Sequence, residues 1–430
     1  MTPALIGFAA LILLCFFGIR VGFATMFVGI VGFAYLRGWG PALSLPGQQI
    51  MDDAMNYNLS VIPLFILMGT FIYRADLSRD LYRAAYAGFG RYRGGLALST
   101  VIACAGFSAV CGSSLATAAT MTKVAIPPMR HYKYADSLAS GSIAAAGTLG
   151  IMIPPSVPLV IYAIIAEQDI GKLFMAGVVP GLLLVLLFLG AVMFTVWLDP
   201  TSGPAGEPLP PEVKRQALRV VWPVLALFTL VLGGIYGSIF TPTEAAGIGA
   251  FGAAVISITR GHLRTLDDWI TTLAEAARTT ATLFIVIFGA LVFAEFINLS
   301  GMPYVLLDTV EAMNLSPTGL VIAVVLIAIL MGMIFESIGI LLLLVPVFLP
   351  ALHQANVDMI WFGIVVVLVT ELGLITPPIG MNVFVVKAVM PDLQLARIFA
   401  GVMPFVGAIL IALILIFMIP SIATLLPKLM

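Results

Sequence analysis

The chain is 430 residues long, 61% hydrophobic and only 10% charged, with a formal net charge of −1 and a mean hydropathy of +1.13. Soluble domains carry about 25% charged residues, so a water-facing surface is excluded. The near-zero charge says nothing about a partner, and no nucleic-acid partner is expected. Apolar runs of about 20 residues fill the length and lack the period-two alternation of barrel strands. Hydrocarbon demands an internal partner for every backbone group, so the chain reads as an all-α polytopic membrane protein.

The first run, "MTPALIGFAALILLCFFGIR", has no basic start and no small-residue cleavage site, and Arg20 follows the apolar stretch. It reads as a retained span over 3–19 rather than a leader. Spans follow over 21–36 and 58–73, with Asp52 and Asp53 between them as extracellular loop charges. The stretch "YRADLSRDLYRAAYAGFGRYR" (73–93) alternates basic and apolar residues, the pattern of an amphipathic helix at the membrane interface. Residues 95–126 are too long for one helix and small or polar at their centre, which fits a re-entrant hairpin. A span over 138–166, broken at Pro154-Pro155, and another over 173–198 complete the first half.

The polar, Pro-rich stretch 198–216 leads to spans over 220–240, 243–259 and 279–297. A second hairpin over 316–351, a span over 359–389 broken at Pro377-Pro378, and a last span over 398–424 bring the total to about ten full spans. Thr241, Pro242 and Glu244 form a capping box, a structural account of that acid. Cys15, Cys104 and Cys111 lie in apolar contexts as packing residues, and His131, His262 and His353 do not cluster. No transition-metal or haem ligand set is visible.

Positive charge orients the spans. With the amino terminus outside and both long regions as hairpins, 17 of the 20 Lys and Arg residues face the cytoplasm, and only Arg37, Lys172 and Lys428 face out. Making either hairpin a single span inverts everything downstream and spoils the asymmetry. Both termini are therefore expected outside, and 198–216 in the cytoplasm.

A shift of 223 residues carries Ser114 onto Ser337, Pro127 onto Pro350, Gly150 onto Gly373 and Pro154-Pro155 onto Pro377-Pro378. Proline is only 27 of 430 residues, so this register is not chance. One residue further on, "AGVVP" (176–180) matches "AGVMP" (400–404). Residues 1–197 and 217–430 thus read as repeats, and an odd number of crossings in each inserts the second upside down. The first hairpin then enters from the cytoplasm and the second from outside. Inverted repeats with paired broken helices are the plan of secondary transporters, with the site at the midplane between halves.

A broken helix exposes amides at one end and carbonyls at the other. The amide end suits an anion, and the carbonyl end a small hard cation. In the first half Gly112, Ser113, Ser114 and Thr117 at the hairpin tip face Thr148, Gly150, Pro154 and Ser156. In the second, Glu336, Ser337 and Gly339 face Thr370, Gly373, Thr376, Pro377, Gly380 and Asn382. Alone, such Ser and Gly residues read as close-packing positions. The matched breaks favour a site for the set, while Ser142 and Thr279 stay with packing. Glu336 and Glu371 lie at membrane depth, where an acid is costly enough to point to function. A neutral, hydrogen-bonded structural carboxyl stays open beside that reading.

The segments "CGSSLATAATM", "AAAGTLGIMIPPSVPLVIYA", "FTPTEAAGIGA", "LGLITPPIGMNVFV" and "FAGVMPF" resemble the large membrane subunit of tripartite ATP-independent periplasmic (TRAP) transporters over essentially the whole chain. The resemblance implies a sodium-driven elevator importer, multi-pass in the bacterial inner membrane, for organic acids such as C4-dicarboxylates, sialic acid, 2-oxo acids or sugar acids. It implies two partners, a periplasmic substrate-binding protein and a small four-helix membrane subunit, the latter expected as a separate chain. Sodium, the only cofactor expected, would bind once per half. One site takes Gly112, Ser113, Ser114, Thr148, Gly150, Pro154 and Ser156; the other takes Glu336, Ser337, Gly339, Thr370, Gly373, Thr376 and Pro377. The acid would bind between them at Ser114, Thr117, Ser156, Ser337, Gly380 and Asn382. A stand-alone sodium–carboxylate symporter of the same superfamily is the alternative. An embedded enzyme would need convergent His, Cys or acid groups, and a channel a symmetric oligomeric pore.

Overall fold

The computed structural model describes residues 2–430, and among the described residues there are helices and turns but no strand. The chain opens with α1 (Thr2–Phe16), α2 (Val21–Arg37), α3 (Trp39–Ala54), α4 (Val61–Arg74) and α5 (Leu77–Phe89). A helical hairpin follows, α6 (Gly95–Cys111) and α7 (Ser114–His131), then the broken helix α8 (Asp136–Met152) and α9 (Val157–Ile165), bent by 42°, and α10 (Ile170–Leu198). Beyond a connector come α11 (Pro211–Tyr236), α12 (Pro242–Thr259), α13 (Leu266–Leu299) and α14 (Met302–Ala312). The second hairpin is α15 (Pro317–Gly332) and α16 (Ser337–Gln354), and the second broken helix α17 (Met359–Ile375) and α18 (Met381–Val389). The chain closes with α19 (Leu395–Met418) and α20 (Ser421–Lys428).

The helix bounds follow the 223-residue shift: α7 falls on α16 and α8 on α17 from end to end. Each break is a Pro-Pro pair joined by a cis peptide. Proline ends the helix because it removes a donor and crowds the preceding turn. The chain restarts in the first break through Ser156, whose Oγ accepts from Leu159 N at 3.4 Å. In the second it restarts through Gly380, at φ +62°, a left-handed conformation that glycine adopts at little cost.

The buried helix α8 packs against α6, α7 and α19. Its small residues allow backbones to meet: a Cβ on Gly141 would come within 2.3 Å of the Gly401 backbone. The α2–α13 pair is built the same way, with Gly29 facing the Phe293 backbone at 2.8 Å from an added Cβ.

Among the described residues six helices are long and apolar enough to cross a membrane, seven with the bent α8–α9 pair, against about ten expected. Helices α1, α2 and α17 are apolar but run only 15, 17 and 17 residues, while α16, expected as a hairpin arm, meets the criterion. Helices α3 and α14 were not expected, being too polar to register as spans, and Asp52 and Asp53 lie in the last turn of α3 rather than in a loop. Helix α13 starts well before 279, seeded by a second capping box in which Thr265 N donates to Asp268 Oδ2 at 2.9 Å. The expected capping box is present, with Thr241 N donating to Glu244 Oε2 at 2.8 Å. The span expected to reach 424 stops at Met418, and α20 begins after Pro420. Helix α5 is amphipathic, but Leu77, Leu81, Tyr82 and Ala85 are covered by protein, chiefly α6 and α11, rather than laid on an interface.

The last six residues of the expected linker 198–216 are helix, because Pro211 opens α11 at a position where its missing N–H costs nothing. The remaining stretch is fastened to its neighbours. Gly94 N donates to Gly203 O at 2.8 Å, Gly206 N to Gly90 O at 2.9 Å, and Ala135 N to Ser202 O at 2.9 Å. These bonds tie the connector to both ends of the first hairpin.

Candidate functional site

The first hairpin turns on Gly112, at φ +61°, and Ser113 caps α7 by accepting from Ala116 N at 3.4 Å. The tip lies on the first break, since a Cβ on Gly112 would stand 3.3 Å from Pro155 O. Gly150 in turn faces the Ser113 carbonyl and Ser108 Oγ, at 3.2 and 3.4 Å from an added Cβ. Ser108 Oγ is buried without a hydrogen-bond partner among the described residues. The second half repeats the approach more tightly: an added Cβ on Gly373 would meet Gly332 Cα at 2.5 Å. Glu336 caps α16 with no side-chain hydrogen bond to the helix, and Gly339 sits in ordinary contact with Val21.

Hydroxyls around the breaks donate to backbone carbonyls of their own turns. Thr117 Oγ1 reaches Ser113 O at 2.8 Å, Ser156 Oγ reaches Ile151 O at 2.5 Å, and Thr370 Oγ1 reaches Val367 O at 2.7 Å. Thr376 Oγ1 makes a longer contact with Gly373 O, at 3.4 Å. Each such oxygen keeps at least one lone pair for a cation, Ser156 Oγ having given one to Leu159 N.

Two links join the halves. Ser114 Oγ lies 2.7 Å from Asn382 Nδ2 and 2.9 Å from its Oδ1, and Asn382 Nδ2 also donates to Ala144 O at 2.9 Å. Thr148 Oγ1 lies 2.8 Å from Ala145 O and 3.3 Å from Glu371 Oε2. Glu371 is fully buried, and its Oε1 has no hydrogen-bond partner among the described residues.

A cavity of about 610 Å³ collects both hairpin tips. Gly112, Ser113 and Ser114 line it from the first, Glu336 and Ser337 from the second, with Ile151 and Val157 of the first break and Leu374 beside the second. Ser114 and Ser337 form its buried part; Lys123, Arg278, Thr279 and Thr282 line its exposed part. The other expected site residues are not among those that line it. Pro154 and Ser156 are buried, whereas Pro377 is exposed, so the two matched breaks are covered unequally. Thr279 lines the cavity as an exposed residue and is not a packing position, because α13 turns that face outward; Ser142 is buried in α8 as expected. Sequence reasoning spent Lys123 and Arg278 on topology and missed them at the cavity. The signal was a basic residue inside the run 95–126 and another at the very edge of the run 279–297.

A helical, multi-pass membrane protein with paired broken helices and hairpin tips meeting at one cavity has the architecture of a permease. The chain belongs to the family described as "Tripartite ATP-independent periplasmic transporter, DctM component", which matches residues 8–422. This large permease component works in its family with a small membrane subunit and a periplasmic binding protein. The chain is 35% identical to the C4-dicarboxylate TRAP transporter large permease protein DctM of Pseudomonas aeruginosa, over 88% of either chain. It is 31% identical to the sialic acid TRAP transporter large permease protein SiaM of Vibrio cholerae, over 97% of this chain and 96% of that one. Among solved structures, the YdaH transporter of Alcanivorax borkumensis shares the fold, with a TM-score of 0.62 at 15% identity over 89% of both chains.

Proposed function

We propose that the chain is the inner-membrane permease through which an organic acid, handed over by a periplasmic binding protein, is imported by sodium-coupled elevator movement. The observation that carries this reading is the convergence of Ser114 and Ser337, 223 positions apart, on one cavity. The helix starts at Ser114 and Ser337 direct amides to that cavity and favour a carboxylate between them. Lys123 and Arg278 add positive charge at its exposed part, where Glu275 is the one acid and is paired with Arg74 at 3.8 Å. The charge asymmetry supports an opening of that part to the cytoplasm, and with it an inward-open reading of this conformation.

Sodium is carried as co-substrate, one ion at each junction of hairpin and broken helix. In the first, the Ser113 and Pro155 carbonyls and the unpartnered Ser108 hydroxyl stand around the tip. Such a set offers several oxygens with little formal charge, which suits a small monovalent ion. Two cations offset the cost of carrying a carboxylate through low dielectric. The inverted repeats of 1–197 and 217–430 form one unit rather than two domains, as supported by the Ser114–Asn382 and Thr148–Glu371 links.

The test is reconstitution with the small subunit and binding protein, and uptake of candidate acids under an imposed sodium gradient. Uptake that needs all three components and the gradient is expected. Uptake by the chain alone would favour the stand-alone symporter, and gradient-independent uptake would defeat sodium coupling.

A further inference from the structure

Away from the transport cavity, two clefts share a wall where α5, α11 and α12 meet. One, about 480 Å³, is basic: Arg79, Arg83, Arg219 and Arg260, with His262, face only Asp76 and Asp80. Arg79 Nη1 pairs with Asp76 at 3.0 Å. Arg260 pairs with Asp80 and donates through Nη2 to Val220 O at 2.6 Å, bracing the floor of the cleft. Arg83 and Arg219 are exposed and have no ion-pair partner among the described residues.

The second cleft, about 470 Å³, shares Asp80, Arg83 and Val220 with the first and runs on along an apolar floor of Tyr82, Tyr86, Leu209, Val213 and Ala217. A basic mouth opening into an apolar groove is complementary to one kind of molecule, with an anionic head and a hydrocarbon body. The excess of Lys and Arg places this face at the cytoplasmic leaflet, where basic pockets between helices hold anionic head groups.

We propose that this composite cleft binds an anionic phospholipid, its phosphodiester on Arg83 and Arg219 and one acyl chain along Tyr82, Leu209 and Val213. Arginine suits the role because its planar fork meets two phosphate oxygens at once. Pro128 of α7 and Tyr132 at its end also line the groove, so the bound chain touches an arm of the first hairpin.

The experiment is native mass spectrometry of the full chain purified in detergent, with dioleoyl phosphatidylglycerol, dioleoyl phosphatidylcholine or glycerol phosphate added. Phosphatidylglycerol should be retained roughly tenfold over phosphatidylcholine, and R83Q/R219Q should cut that retention by roughly ten- to thirtyfold, as expected for two basic residues at about a factor of five each. R83K/R219K, which keeps the charge, should lose much less, and unchanged gel filtration and melting would show both variants folded. Equal retention of the two lipids, or full retention by R83Q/R219Q, would overturn the proposal. Glycerol phosphate held as tightly as the lipid would overturn it too, by revealing a free-phosphate site that makes no use of the groove.

Discussion

Thr148 and Glu371 are 223 positions apart, the offset that carries α8 onto α17, and their side-chain oxygens lie 3.3 Å from one another. Points related by a two-fold axis are separated by twice their distance from it. Under the proposed inverted repeat, a contact between equivalent residues puts the axis relating the halves between α8 and α17.

Glu371 is buried with no cation among its described partners, and a bare carboxylate there would cost several kcal/mol. We expect the acid to be neutral. Glu371→Gln should then leave melting in detergent nearly unchanged, while Glu371→Ala should cost roughly 2–4 kcal/mol through the cavity it leaves. If Gln proves as damaging as Ala, the group carries its charge and must be paired with an ion during transport.

The tight approach of Gly373 to Gly332 leaves no space for a methyl group. Gly373→Ala should lower stability by roughly 1–3 kcal/mol and slow transport by displacing the second hairpin from its broken helix. Gly407, with nothing within 4 Å of an added Cβ, is the control, and its Ala variant should be neutral or slightly stabilising. Equal melting of the two variants would contradict the packing argument.

Ser114→Ala and Ser337→Ala should each weaken the sodium dependence of uptake, whereas Ser142→Ala should not. Because Ser114 bonds Asn382, Ser114→Ala combined with Asn382→Ala should be less than additive, with a coupling of about 0.6 kcal/mol or more. Wild-type sodium affinity and cooperativity in the Ser114 and Ser337 variants would remove the tips from the coupling site. A sodium Hill coefficient near one in the wild type would argue against two ions.

Lys123→Gln and Arg278→Gln should weaken substrate entry from the cytoplasmic side, seen in counterflow, by about two- to fivefold each, in line with exposed charges. The effect should shrink in high salt. Loss confined to periplasmic uptake, with counterflow intact, would put these cations elsewhere in the cycle.

The orientation itself is open to labelling. Ala205 is exposed in the connector, so a cysteine there should react with an impermeant reagent only from the cytoplasmic face. Reaction from the periplasm alone would reverse the topology.

What was legible in the sequence is what a local pattern encodes. The Pro-Pro breaks, the Ser114 and Ser337 helix starts and the Thr241–Glu244 box depend on neighbours a few residues away. Helix α3 escaped because Gln48, Gln49, Asp52 and Asp53 make it too polar to span, although nothing in it forbids a helix. Asn382 was expected near substrate, but its bond to Ser114 joins residues 268 apart, and no periodicity records such a pair. Lys123 and Arg278 obeyed the charge rule as well as they line the cavity, and one role concealed the other.

The fastening of the connector sets a mechanical limit. Ser202, Gly203 and Gly206 are held to the base of the first hairpin, and α11 begins at Pro211, so only residues 207–210 are left to join the two. The five extended steps from Gly206 to Pro211 reach roughly 17 Å. That short leash caps how far the hairpin base can travel from the start of α11, so the longest stroke open to this part of the machine is written into the covalent chain. Inserting Gly-Ser residues at 207–210 would lengthen the leash without touching the cavity.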